Sequence, residues 1–430
     1  MNKKMKVQKI LQLGSAFVLS LSSLLTLSIP LAHAATVTCT WTDASGIDNN
    51  FSTAGNWGVD CGGDTPGGTP GNVYNLVFPA SAASFDPIND VPSLTAGTIT
   101  FSGSFSSLGY DITSSSPSNV ITIGGGITDN SSGSFNEIDS NLTLSGNQTF
   151  SSDVGSLLLI GSGSDTIDVG SNTLTLANVS TGDPISGSGS LVIDDAIYPT
   201  DSDGVSLLAP SPGFSGSVSV NRGALFVDDA GSLSAASAIT VASGAFLKGD
   251  GGVSAATIQS GGTIAPGHSP GCISASNLTI SGTYLAQLDG NDPCNDYGQL
   301  QVSNSIDVTG ATLQVSVLSG FTPTAGQSFV IIDNSGSNPV TGTFNGLAEG
   351  STFTSDGTTF QISYKGGDGN DVTLTVITPA AAGLASPAAP GTPNTGLAAI
   401  MSQPFTVLAI LTAVASGLLL IARRLKPAQR

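Results

Sequence analysis

Val120-Ile-Thr-Ile123, Leu142-Thr-Leu144, Leu157-Leu-Leu-Ile160, Thr173-Leu-Thr-Leu176 and Leu191-Val-Ile193 are short apolar segments separated by Gly, Ser, Asn and Asp. Where the pattern is clearest, Leu or Ile alternates with Thr. Successive side chains of a strand point to opposite faces, so this is the signature of a strand with one buried face. Similar segments continue in Val218-Ser-Val220, Ala224 to Val227, Ile239-Thr-Val241, Ala245-Phe-Leu247 and Asn277-Leu-Thr-Ile280. Away from the two ends of the chain no helical period is sustained.

Such strands recur roughly every 8–20 residues with turn residues between them. A sandwich would need longer alternating strands and larger aromatic anchors. Many short strands with small turn residues favour a solenoid, in which each coil stacks on the last and inward Val, Ile and Leu form ladders. The expected fold is all-β: a right-handed parallel β-helix with N- and C-terminal β caps, one N-terminal signal helix and one C-terminal transmembrane helix. With about 20–25 residues per coil, about 14 coils would build a rod about 65 Å long.

The two ends carry addresses rather than fold. Lys3, Lys4, Lys6 and Lys9 precede an apolar run from Ile10 to about Leu31, and Ala32-His33-Ala34 closes it. A basic region, an apolar core and a small-x-small box together predict a secretory signal peptide over 1–34. At the other end, 378–396 is a Pro/Ala-rich linker and 397–422 is hydrophobic, with a charge-free run from Phe405 to Ala422. At 1.5 Å per residue that run spans about 27 Å, enough for a bilayer core. Arg423, Arg424, Lys426 and Arg430 lie in the tail 423–430, which the positive-inside rule places in the cytoplasm. Between these ends the expected parts are a Trp-containing N-terminal cap with the first coils over 35–100, solenoid repeats over 101–322 and a C-terminal β cap over 323–377.

Charge is partitioned as sharply. The chain has 11 basic and 30 acidic residues, and only Arg222, Lys248 and Lys365 of the basic ones fall outside its two ends. All the acidic residues lie in the middle, which a nucleic acid or an anionic lipid surface would repel. The four cysteines form two local pairs of equal spacing, Cys39 with Cys61 and Cys272 with Cys294. In an exported chain such pairs predict disulfides, each stabilising by roughly 3 kcal/mol. Zinc is the alternative, but four ligands would have to converge from distant positions and the chain has 2 His.

Pro393-Asn394-Thr395-Gly396, followed by the hydrophobic segment and the basic tail, resembles the sortase sorting signal, with Thr392 where that signal has Leu. The resemblance implies cleavage between Thr395 and Gly396 by a cysteine transpeptidase and attachment of Thr395 to cell-wall peptidoglycan. The alternative is a permanent single-span anchor. Residues from about Cys39 to Ile377 resemble proteins with autotransporter-associated β-strand repeats. The matching segments are Thr40-Trp41-Thr42 with Ala54-Gly55-Asn56-Trp57, Ile185 to Ile193, Phe214 to Val220, Ile264-Ala-Pro-Gly-His-Ser-Pro-Gly271, and a terminal segment ending Tyr364-Lys-Gly-Gly-Asp-Gly-Asn-Asp-Val-Thr-Leu374. This resemblance implies a β-helix displayed outside the cell. The chain departs from that family in ending with an apolar helical segment rather than an outer-membrane barrel.

Few residues offer chemistry. Asp368 and Asp371 in Gly366-Gly-Asp-Gly-Asn-Asp371 partly match a calcium-binding nonapeptide, present here once and with Thr373 in its apolar slot. The other reading of this segment is a tight turn. Asp194-Asp195 and Asp228-Asp229 are paired carboxylates, but neighbours on a strand face opposite ways and so do not form a glycosidase pair. Arg222 and Lys248 are 26 apart, near one coil length, which could place them on one face as the basic residues of a polysaccharide lyase. His268 lies between Pro266-Gly and Ser-Pro-Gly271, which reads as a turn. Trp41 and Trp57 are read as capping the first coil, with sugar stacking as the alternative.

The expected function is therefore non-catalytic: a cell-surface-anchored β-helix acting in adhesion or envelope interaction, with a host or neighbouring cell surface or a glycan as ligand. The alternatives are a wall-anchored, carbohydrate-acting β-helix enzyme, lyase or hydrolase, and a passive coat. No catalytic residue and no cofactor is assigned; Ca²⁺ at Asp368 and Asp371 is the candidate metal.

Overall fold

A computed structural model describes residues 35–105, 109–153, 155–197, 204–228, 232–268, 270–318 and 320–380. The expected signal peptide, the expected sorting motif Pro393 to Gly396, the hydrophobic segment, the basic tail and Asp229 lie outside the described residues. The regular structure of the described chain is nearly all β; its helical elements are two short 3₁₀ turns, Ala54–Asn56 and Val59–Cys61. Among the described residues no helix is long and apolar enough to cross a membrane.

The strands form long parallel sheets, an arrangement compatible with a β-solenoid. One sheet of eleven strands runs from Ile88–Asn89 to Thr312–Val317 and takes every strand in parallel. A second sheet has 21 strands and contains two parallel ladders. The long strand Ser93–Ser104 joins them: its first half pairs with Val120–Ile123 and its second half with Ile127–Ser132. Each turn of the chain thus visits three ladders before returning one strand higher. Successive strands of the eleven-strand sheet begin about 22 residues apart, within the usual range for a solenoid repeat.

The Leu/Thr alternation has the predicted consequence. Leu76, Ile99, Ile127, Phe150, Leu176, Ile193, Val220, Val241, Ile258 and Ile280 follow one another in register up one ladder. All ten are fully buried. Burying an aliphatic or Phe side chain stabilises by about 1.5–3 kcal/mol, so this column alone holds many coils together. In the eleven-strand sheet, Ile112, Ile138, Ile160, Thr181, Leu207 and Val227 form a similar column, with one Thr among the aliphatics.

The two ends depart from the repeat. At the start, Thr36–Thr40 pairs in parallel with Val73–Pro79, and Trp41, Phe51, Trp57 and Phe78 pack together over the first coil. Both indoles are buried and donate N–H bonds to carbonyls, Trp41 to Ser84 at 3.0 Å and Trp57 to Phe51 at 2.8 Å. They are capping residues and offer no face for a sugar. At the other end, Ser328–Asn334, Thr352–Ser355, Thr358–Gly366 and Asp371–Thr378 pair antiparallel. The estimate of about 14 coils therefore exceeds the eleven strands of the all-parallel sheet, because chain at both ends is spent on closure rather than on coils.

Disulfides join Cys39 to Cys61 and Cys272 to Cys294, and no cysteine is free. The first lies beside the aromatic cluster of the N-terminal end. The second ties the start of the strand Cys272–Ile280 to the loop after Thr283–Leu288.

Candidate functional site

Three adjacent parallel strands, Ala224–Val227, Phe246–Gly249 and Thr263–Pro266, bring together residues scattered in the sequence. Leu225, Leu247 and Ile264 are in register and fill the interior. By alternation, Phe226, Lys248 and Ala265 form the next column, on the opposite face of the sheet. That column is nevertheless nearly buried, because the chain after Pro266 folds back over it.

His268 is the residue that covers it. Its ring lies flat against Phe226, with centroids 5.0 Å apart and planes 9° from parallel. Its Nε2 is 2.6 Å from Asp228 Oδ1. The Lys248 ammonium is 5.2 Å from the centre of the same Phe226 ring, within range of a cation–π attraction. The hydrogen bond to Asp228 raises the His268 pKa; burial opposes this, the charges of Asp228 and Asp250 add to it, and Lys248 opposes it. Asp250 also organises the turn: its Oδ1 accepts the Cys272 N–H at 2.8 Å. A Cβ on Gly271 would lie 1.7 Å from that oxygen, so only glycine fits there. The chain after the strand Thr263–Pro266 thus turns, as its Pro and Gly content predicts, and Cys272 beyond it is pinned by a disulfide.

The resulting patch combines an aromatic ring, an ammonium, a histidine and two carboxylates on one outer face. Phe226 and Lys248 are buried beneath His268, so the group this patch presents outward is the exposed imidazole, with the Asp228 carboxylate beside it, which suits hydrogen bonding to a polar ligand. The sequence alone points to Asp228, Lys248 and His268 separately. It does not point to Phe226 or Asp250, whose part depends on coil register that a single sequence does not display.

The other candidates lie elsewhere. Arg222 ends the strand Ser217–Arg222 in the 21-strand sheet, whereas Lys248 lies in the eleven-strand sheet, so the two do not share one face. Near one coil length in spacing is not sufficient here, because the turn at Gly223 carries the chain onto the other sheet. Arg222 instead pairs with Asp194 on the neighbouring strand. Asp194 is partly exposed while Asp195 is fully buried, so the doublet splits between faces as expected. Lys365 is exposed on Thr358–Gly366.

Asp371 is buried, and its Oδ1 accepts the Asn334 N–H at 2.8 Å; Asp368 is exposed in the turn. Burial raises the pKa of nearby Asp333, and the charges of Asp371 and Asp368 add to the shift. Among the described residues, Asp368 and Asp371 belong to no group of three side chains able to hold a metal.

No protein-family model matches the chain, and no curated protein matches it.

Proposed function

We propose that this chain is displayed on the outer face of a cell envelope as a right-handed parallel β-helix, without catalytic activity, and acts in adhesion or envelope interaction. The observation that carries this reading is the unbroken buried ladder from Leu76 to Ile280, which makes a stiff support of the kind a displayed module requires. Two disulfides suit an oxidising, extracellular setting. The basic and apolar N-terminus supports export. The resemblance of Pro393-Asn394-Thr395-Gly396, with the hydrophobic segment and basic tail beyond it, to a sorting signal supports attachment. The acidic balance of the middle of the chain points away from nucleic acid and suits cations or basic partners. The patch around His268 is the surface best suited to contact with a polar ligand.

Attachment of cells to host cells or to immobilised envelope glycans tests this. Cells carrying the full chain should adhere, and cells from which it is deleted should lose that adhesion. Equal attachment would leave a passive coat as the reading. One observation favours a carbohydrate-acting enzyme instead, the convergence of His268, Asp228 and Lys248. Polysaccharide cleavage by the full chain, abolished by Lys248→Ala, would establish that alternative.

A further inference from the structure

A second cluster lies on the eleven-strand sheet, remote in sequence from the His268 patch. The strands Phe135–Asp139, Leu157–Ile160 and Val179–Thr181 stack in register, with Ile138, Ile160 and Thr181 in one column. The residues that follow this column, Asp139, Gly161 and Gly182, stand where the pairing ends and the chain leaves the sheet on all three coils. Each departing segment delivers one carboxylate. Asp139, Asp165 and Asp183 each place an oxygen within 4.8 Å of the other two.

Three like charges this close repel, and their environment makes the repulsion worse. Asp183 is fully buried and Asp165 nearly so. Asp183 Oδ1 accepts the N–H groups of Gly163 at 3.0 Å and of Asp165 at 3.2 Å. Its Oδ2 is buried with no hydrogen-bond partner. Burying a carboxylate oxygen without a partner is costly unless a proton or a cation joins it. Burial raises the Asp183 pKa to about 6, against two backbone hydrogen bonds, with the charges of Asp139 and Asp165 adding to the shift.

The space for this carboxylate is built into the preceding coil. Gly161 has φ +80°, and a Cβ there would lie 1.8 Å from Asp183 Cγ. The remaining carboxylates are held in place by neutral donors. Ser162 Oγ donates to Asp139 at 3.0 Å, and Asn141 Nδ2 donates to Asp165 Oδ1 at 2.7 Å. Among the described residues both ion pairs, Arg222 with Asp194 and His268 with Asp228, lie elsewhere.

We propose that Asp139, Asp165 and Asp183 bind one Ca²⁺, which clamps three successive coils through carboxylates whose oxygens lie within 4.8 Å of one another, the fully buried one of which, Asp183, has an unpartnered Oδ2. The ligand set is all oxygen, which suits a hard cation and not zinc. Its carboxylates come from three separate turns, an irregular geometry that calcium accepts and that magnesium, with its demand for a near-ideal octahedron, does not. Backbone carbonyls and water would complete the coordination. This site is distinct from Asp368 and Asp371 and does not depend on the adhesive reading.

The test uses the detergent-solubilised full chain after removal of metal with a chelator. Thermal unfolding at pH 7.5 is followed with CaCl₂ or MgCl₂ at equal concentration. An extracellular-type site would have a dissociation constant of roughly 0.1–1 mM. Saturating calcium should then raise Tm by a few degrees, magnesium by much less. Asp183→Asn should remove the calcium-specific rise, and Asp165→Asn serves as a second variant should the first fail to fold. Asp368→Asn should keep the rise in full. The proposal is overturned if calcium and magnesium act equally, if neither acts, if the rise survives both Asp183→Asn and Asp165→Asn, or if Asp368→Asn abolishes it.

Discussion

His268 and Asp228 are 40 residues apart in sequence and 2.6 Å apart in space, because the turn after Thr263–Pro266 folds back across two coils. The pair has a definite pH signature. His268 has its pKa raised above the ordinary 6.5, chiefly by the hydrogen bond to Asp228. The contact therefore stabilises fully below pH 6.5 and loses that contribution as pH rises through the raised value. His268 is more than half exposed, so solvent screening keeps the effect on stability small. Titration of the His268 ring protons by NMR is the sharper measurement. Asp228→Asn should shift the midpoint to lower pH, and an unchanged midpoint would contradict the pairing.

Asp183 predicts an opposite sensitivity to that of most carboxylates. Its folded-state pKa is raised, so its contribution is present below about pH 4 and lost as pH rises through about 6. In chelator the loss is on the order of 3 kcal/mol for a shift from 3.8 to about 6. Chemical denaturation of the metal-free full chain at pH 4.5 and pH 7 should show this difference shrinking in Asp183→Asn. A difference of the same size in the variant would place its origin elsewhere.

Gly161→Ala should destabilise by about 1–3 kcal/mol through the positive φ alone, before displacement of Asp183 is counted. Gly146→Ala is the control: its backbone lacks a positive φ, and the contact a Cβ would make there is the far end of Gln148 at 3.8 Å. Comparable losses of Tm in the two variants would argue against the packing of Asp183 over Gly161.

The disulfide Cys272–Cys294 holds the turn that follows His268. Replacing both cysteines with Ser should cost about 2–4 kcal/mol in denaturant unfolding. It should also loosen the His268 turn, bringing the His268 titration closer to the ordinary value. Retention of both stability and titration would show that the turn is set by Asp250 and the backbone alone.

The solenoid-compatible pairing is legible in the sequence because its cause is local. Leu174 and Leu176 alternate with Thr173 and Thr175, and that period follows from strand geometry alone. The disulfides are legible for a similar reason, since each pair closes a short local loop. The His268 patch and the aspartate cluster are not, since both depend on which residue stacks on which. Coil lengths vary, and that register is decided by the summed packing of the ladders rather than by any short motif. Ile138, Ile160 and Thr181 share a column at spacings of 22 and 21 residues, and Asp139, Gly161 and Gly182 follow them, a trace that becomes readable only once the coils are aligned. Arg222 and Lys248 show the converse: near-coil spacing suggests a shared face, and a single turn at Gly223 separates them.

Display at the cell surface is the central claim, and mass spectrometry of protein released by wall-digesting enzymes tests it most directly. The account predicts a chain that begins after Ala34 and ends at Thr395, joined there to a peptidoglycan fragment. An intact chain through Arg430, recovered from the membrane or the cytoplasm and absent from the wall digest, would contradict it.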